Sequence, residues 1–210
     1  MEIWFTMIKV LNLYAGIGGN RKLWENVQVI AVENNTSIAR VYKEFYPDDK
    51  VIITDAHKFL IDHFKEYDFI WSSPPCPTHS RINHSFNTCG KNKIRYADLK
   101  LYEEVILLQK HGFNPWVVEN VIPYYEALRK PSAIRGRHMF WSNFHIQSNP
   151  TLNSCVQRIK DVTVNTNRFG FELKSFKLEN KRQILRNLVD PKLGLHVFNA
   201  AFKERQEVLL

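Results

Sequence analysis

Residues 7–19, Met7-Ile8-Lys9-Val10-Leu11-Asn12-Leu13-Tyr14-Ala15-Gly16-Ile17-Gly18-Gly19, run from an apolar stretch straight into a glycine-rich turn. The apolar half reads as a β-strand. Glycines at a strand-to-helix turn let the backbone approach a ligand closely, and the next helix N-terminus favours an anionic group. A dinucleotide fingerprint needs a third glycine at position 21, where this chain has Arg21, so a nicotinamide site fits poorly.

The same alternation continues along the chain. Residues 27–32 read as a second strand and 37–45 as a helix behind a Thr/Ser cap. Residues 51–53 form a short third strand, 57–64 a helical stretch, and 67–71 a fourth strand. Residues 98–110 make an amphipathic helix behind Asp98, with Leu101, Val105 and Leu108 at helical spacing. Residues 115–118 are a fifth strand. Such alternation implies an α/β fold with a mostly parallel twisted sheet and helices on both faces. Beyond residue 145 the pattern decays into Asn, Ser and Thr with isolated aromatics. Helices are expected near 181–188 and 196–208, with Pro191 and Gly194 as punctuation between them.

Charge divides the chain at much the same place. The 210 residues carry 29 Lys plus Arg against 21 Asp plus Glu, a net charge of +8. Residues 1–130 hold 16 basic and 15 acidic side chains, and residues 131–210 hold 13 and 6. An excess concentrated in one part favours a polyanion-binding face, because each phosphate contact releases counterions. The expected division is a catalytic body, 1–145, and a small basic appendage, 146–210. No apolar run is long enough to span a membrane and the first residues are not a signal peptide. Three cysteines, Cys76, Cys89 and Cys155, are too few and too irregular for a disulfide framework or a zinc site. The expectation is a soluble, reduced, cytoplasmic protein.

Candidate chemistry collects after the strands. Glu33 ends the second strand, where a carboxylate can accept ribose hydroxyls, and Asp55 follows the third, placed for an adenine amino group. Either acid alone is as readily a solvated loop residue; with the glycine turn they point to a nucleoside cofactor. The fourth strand runs into Ser72-Ser73-Pro74-Pro75-Cys76-Pro77. Tandem prolines make a stiff turn with few free donors, and hold Cys76 at the ligand-binding edge of the sheet. An isolated cysteine is usually inert, but the rigid pedestal argues for a nucleophile. Glu119, closing the fifth strand, is expected beside Cys76, where it can bind the N3 edge of a cytosine.

Together these residues resemble the cytosine-5 DNA methyltransferase family. The matching pieces are the turn 13–19, Glu33-Asn34, Asp55, Pro74-Pro75-Cys76 with Ser80, Glu119-Asn120-Val121, and Arg135-Gly136-Arg137 ahead of His138-Met139-Phe140-Trp141. The order is unbroken from residue 7 to about 145. The resemblance implies a Rossmann-like class I methyltransferase fold and S-adenosylmethionine as cofactor. Tyr14, Ala15, Gly16, Gly18 and Gly19 would lie at its methionine and ribose end, Glu33 at the ribose hydroxyls, Asn34 at the adenine face and Asp55 at the adenine amino group. Cys76 would be the nucleophile, with Pro75 close to cofactor and base. Glu119 would bind the base edge, and Arg137 with Arg135 the base and its backbone. The implied partner is double-stranded DNA, contacted through Ser80, Arg81, Lys181 and Arg182, and a companion restriction endonuclease fits the same resemblance. The compact style, with Phe140-Trp141-Ser142-Asn143-Phe144 after the arginines, looks like enzymes carried by bacteriophages.

Three departures stand out. The glutamine that the family places before the arginines is Ala133, and only residues 120–134 separate Glu119 from Arg135. The C-terminal Gly-Asn-Ser/Ala-Val element that walls the cofactor has only a faint echo, at residues 196–201. The expected reaction is attack of the Cys76 thiolate on C6 of a flipped-out cytosine, which activates C5 toward the methyl group. Residues 77–97, long, polar and basic, are expected to close over the DNA. Two other readings are a cytosine-5 methyltransferase acting on RNA and a DNA-binding protein that has lost turnover.

Overall fold

The computed structural model of the chain describes residues 7–90, 93–153 and 169–207; Cys155 lies outside them. Its strands are β1 (Ile8–Leu13), β2 (Val27–Val32), β3 (Lys50–Ile52), β4 (Phe69–Ser72), β5 (Trp116–Val121), β6 (Ala133–Arg135) and β7 (His138–Ser142). They form one sheet in the order β3-β2-β1-β4-β5-β7-β6. The first five strands pair in parallel, while β7 is antiparallel to β5 and β6 to β7. This is the expected Rossmann-like α/β sheet.

Residue alternation sorts the core into two layers. Val10, Val29, Phe69, Trp71, Val117 and Phe140 share one cluster, whereas their neighbours Leu11, Ile70, Val118 and Trp141 share another. The second layer is covered by α2 (Ala56–His63), with Leu60, and, beyond α3 (Arg81–Thr88), by α4 (Lys100–His111). The expected Leu101, Val105 and Leu108 are the buried stripe of α4. Asp98 is not the cap of that helix: Leu99 takes the capping position without a side-chain bond, and Asp98, one residue earlier, accepts from Lys100 N at 3.1 Å.

α1 (Thr36–Phe45) follows β2 and is capped by Asn35, whose Oδ1 accepts from Ser37 N and Ile38 N; the expected Thr/Ser cap is the first helical turn instead. After the short α5 (Pro150–Asn153) come α6 (Lys181–Asn187) and α7 (Pro191–Glu207). The last helix starts five residues earlier than its apolar pattern implied. Pro191 opens it, where a missing N–H costs nothing, and Asp190 Oδ1 accepts from Lys192 N at 2.9 Å.

The C-terminal segment is less separate from the body than its composition implied. Leu193, Val197, Phe198 and Ala201 of α7 belong to the same core cluster as Val10, Phe69 and Trp71. Trp24 stacks on Phe198 at 5.1 Å and donates Nε1–H to Gly194 O at 3.2 Å. Residue 145 is therefore no boundary of the hydrophobic core. Among the described residues no helix is long and apolar enough to cross a membrane.

Candidate active site

The carboxyl ends of β1, β2, β4 and β5 open into one cavity of about 260 Å³. Open parallel sheets bind ligands at this edge because the chain must leave it there in opposite directions. Of the expected cofactor residues, Tyr14, Ala15, Gly16, Gly19, Glu33, Asn34 and Pro75 line it.

The glycine turn is built around Glu33. Gly16 N donates to Glu33 Oε2 at 3.0 Å and Asn35 N to Oε1 at 2.9 Å, so the carboxylate is fixed at the end of β2. A Cβ added at Gly16 would meet nothing within 4 Å. Gly18 has a different task. At φ +80 it packs against the rings of Tyr42 and Tyr46, and its carbonyl accepts from Tyr46 Oη at 2.7 Å. It supports the turn from behind and does not line the cavity. The helix expected after the turn is a single 3-10 turn, Asn20–Leu23.

Tyr14 sits in the left-handed region, φ 54, and donates its hydroxyl to Glu104 at 2.7 Å. Burial first, then the Glu104 carboxylate, push this phenol far above its ordinary value, so it remains a neutral donor. Glu104 is a buried hub on α4: Ser72 Oγ and His57 Nδ1 also reach it, at 2.5 and 3.0 Å. The ends of β1 and β4 and the start of α2 are thereby tied to one carboxylate. Asp55 caps α2 through Lys58 N at 3.1 Å and faces Lys100 at 3.8 Å. It stands outside the cavity lining, held there by its capping bond.

Across the cavity the tandem prolines carry Cys76 off the end of β4. Cys76 O accepts from His79 N and Ser80 N, both at 3.0 Å, which curls residues 76–80 into a turn. Ser80 bridges to Pro123, and Arg81 Nε donates to Pro123 O at 3.1 Å. The connection 77–97, expected to close over the DNA, contains α3, with Ile82 and Phe86 exposed on it. Neither Ser80 nor Arg81 lines the cavity.

The register places Glu119 next to the pedestal: Ser72 pairs with Val118, so Ser73, the first residue past β4, comes beside Glu119 within β5. Both Cys76 and Glu119 line the cavity. Burial pushes the Cys76 thiol up, Glu119 pushes it further, and Arg137 and Arg186 oppose both; the net direction is up. Burial would also raise Glu119, but His138, Ser73 and Arg137 outweigh it and hold the carboxyl below its ordinary range.

The two expected arginines part company. Arg137 lines the cavity and donates to His138 Nε2 at 3.2 Å and to the carbonyls of Arg186 and Leu188. Arg135 does not reach it. On edge strand β6 its guanidinium is spent on the carbonyls of Ile134, Ile146 and Gln147, fastening the segment after β7.

The remaining side of the cavity is closed by the end of α6 and the residues after it. Ile184, Arg186, Asn187, Leu188 and Val189 close the cavity, and Gly19 lies so near them that an added Cβ would stand 2.7 Å from Val189 O. Residues 186–189 read Arg-Asn-Leu-Val. The echo at 196–201 is core helix, with Val197 and Phe198 buried. Lys181 and Arg182 lie on α6 outside the cavity, Lys181 donating to Lys174 O at 3.4 Å. His138 was not singled out in the sequence.

The model of the family described as C-5 cytosine-specific DNA methylase matches residues 8–121 of the chain. No curated protein matches. Among solved structures, a DNMT2 protein of Spodoptera frugiperda is similar at 27% identity over 54% of this chain and 35% of its own, with a TM-score of 0.39. The Entamoeba histolytica methyltransferase EhMeth is similar at 17% identity over 58% and 40%, with a TM-score of 0.38. A putative DNA modification methyltransferase encoded within an Escherichia coli prophage is similar at 19% over 57% and 34%, with a TM-score of 0.37. The chain spans two fifths or less of the length of these three.

Proposed function

Because the chain belongs to the C-5 cytosine-specific DNA methylase family, we propose that it methylates carbon 5 of cytosine in double-stranded DNA through a covalent adduct of Cys76. The observation that carries this reading is one cavity lined by the Pro74-Pro75-Cys76 turn, Glu119 and Arg137 on one side and by Gly16, Glu33 and Asn34 on the other.

S-adenosylmethionine is the methyl donor of the family, and the second group of residues fits it. The open space at Gly16 admits a ligand against the backbone. Glu33 is already oriented by two backbone amides and retains acceptor capacity for two hydroxyls. Asn34 and the Asn187–Val189 wall complete the enclosure. When bound, S-adenosylmethionine supplies an electrophilic methyl group on a sulfonium centre.

The remaining work falls to the chain. C5 of cytosine is a poor nucleophile until a group adds at C6 and breaks the aromaticity. Cys76 passes its proton to the Glu119 carboxylate and its thiolate adds to C6; Glu119 then gives that proton to N3 as charge builds there, and Arg137 offers donors to the base. Once C5 carries the methyl group, loss of its proton expels the thiolate and restores Cys76. The base must leave the duplex, since stacking blocks attack on C6 from above the ring. The basic side chains at Arg81, Lys181 and Arg182 are placed outside the cavity, where they can meet phosphates and position the strand. Incubation with labelled S-adenosylmethionine and either duplex DNA or RNA, followed by nucleoside analysis, tests the reading. The expected product is 5-methylcytosine in DNA; label in RNA alone, or none, contradicts it.

A further inference from the structure

Glu119 does not stand alone at the base edge. Its Oε1 is hydrogen-bonded to His138 Nδ1 on the neighbouring strand β7. The other ring nitrogen, Nε2, faces Arg137 Nε at 3.2 Å. An arginine Nε–H can only donate, so His138 Nε2 must present a lone pair. The ring proton therefore sits on Nδ1, and His138 donates it to Glu119 as a neutral imidazole. Ser73 is also hydrogen-bonded to this carboxylate, and its Oγ accepts from Trp71 Nε1 at 2.8 Å.

The arrangement is rigid and dry. His138 and Glu119 are 7% and 6% exposed. His138 is paired to Val121 on β5 and to Arg135 on β6, so both neighbouring strands fix its backbone. The titratable and charged groups facing Glu119 are His138, Arg137 and the Cys76 thiol, and Arg137 is in turn held by the carbonyls of Arg186 and Leu188 in the opposite wall.

We propose that His138 is a positioning residue for Glu119, occupying Oε1 with its Nδ1–H so that the rest of the carboxylate faces the base edge. This rests on the functional reading above. A carboxylate hydrogen-bonded on one oxygen cannot rotate freely, and the acceptor left in the cavity has one direction. Through Arg137 the same ring links the base edge to the wall at residues 186–188, so the two halves of the cavity are registered by a continuous chain of hydrogen bonds. His138 acts through Glu119 and need not touch the base.

Two substitutions separate positioning from mere support. His138→Asn keeps an N–H donor near the place of Nδ1, whereas His138→Leu removes both ring nitrogens. His138→Leu is expected to lower kcat on duplex DNA about tenfold to a hundredfold, the usual cost of losing an orienting partner. The KM for S-adenosylmethionine should stay within about twofold, because Glu33 is held by the amides of Gly16 and Asn35 and not by His138. His138→Asn should recover most of kcat. A His138→Leu protein with unchanged kcat, or a His138→Asn protein as impaired as His138→Leu, overturns the proposal. Nitrogen-15 NMR of the imidazole tests the pairing without turnover. The Nδ1–H tautomer should dominate and be disturbed by Glu119→Gln; a ring indifferent to that change overturns the proposal. A wild-type chain that shows the tautomer but never methylates cytosine overturns the functional reading instead.

Discussion

Asn120 donates from Nδ2 to the carbonyl of Pro74 at 2.9 Å, and so joins the strand end that carries Glu119 to the turn that carries Cys76. The two groups expected to act on one base are held together by an amide that touches neither. Both partners are buried.

Asn120→Ala should therefore damage stability and chemistry together. It leaves the Pro74 carbonyl without its partner, at a cost of about 1–3 kcal/mol in chemical denaturation. Turnover should fall while S-adenosylmethionine affinity, read by calorimetry, stays the same. Unchanged stability and rate would show that the bond does not organise the site.

The thiol of Cys76 should react slowly at neutral pH. Burial and Glu119 raise its pKa, so the thiolate fraction, and with it alkylation by iodoacetamide, should climb about tenfold per pH unit through the neutral range. Glu119→Gln removes the negative neighbour and should speed alkylation at a fixed pH; Arg137→Met should slow it. The opposite order in these two variants would contradict the electrostatics described for the cavity.

Glu33 and Asp55 should separate cleanly. Glu33→Ala should weaken S-adenosylmethionine binding by about 1–3 kcal/mol through loss of buried hydrogen bonds. Asp55→Ala should instead cost about 0.5–2 kcal/mol of stability as a lost helix cap, with a smaller effect on binding. Titration calorimetry and thermal unfolding of both variants check this. Equal binding losses would return Asp55 to the cofactor site.

Lys181 and Arg182 should act on affinity alone. Their double replacement by alanine should flatten the dependence of DNA affinity on salt concentration, with kcat at saturating DNA preserved. An unchanged slope would place the phosphate contacts elsewhere on the basic C-terminal part.

How much of this was readable beforehand differs from residue to residue. β1 and β2 were plain because four of six residues in the first and five of six in the second are apolar. Cys76 and Glu119 were found because their neighbours, two prolines and an Asn-Val pair, are themselves unusual. Spacing does not reveal what packs against a residue: Gly18 lies against Tyr42 and Tyr46 behind the turn, and Arg135 turns its guanidinium to the carbonyls of Ile146 and Gln147. The lining by residues 184–189 had no sequence signal, because these residues meet the sheet edge only through the tertiary fold. α7 begins at Pro191, which sequence alone reads equally as a break or as a helix's first residue. His138 gave no signal, since its importance lies in a contact between antiparallel strands 19 residues apart.

The central claim is that Cys76 bonds covalently to the target base. Duplex DNA bearing 5-fluorocytosine, incubated with the protein and S-adenosylmethionine, should trap the adduct because C5 then carries no proton to lose. Peptide mapping should place the DNA on Cys76. Cys76→Ser should abolish trapping and methylation, since an unactivated hydroxyl is a far weaker nucleophile near neutral pH. Cys89→Ser should leave both largely intact, Cys89 being an exposed cysteine outside the cavity lining. An adduct on any other residue, or C5 methylation by the Cys76→Ser protein, would contradict the account.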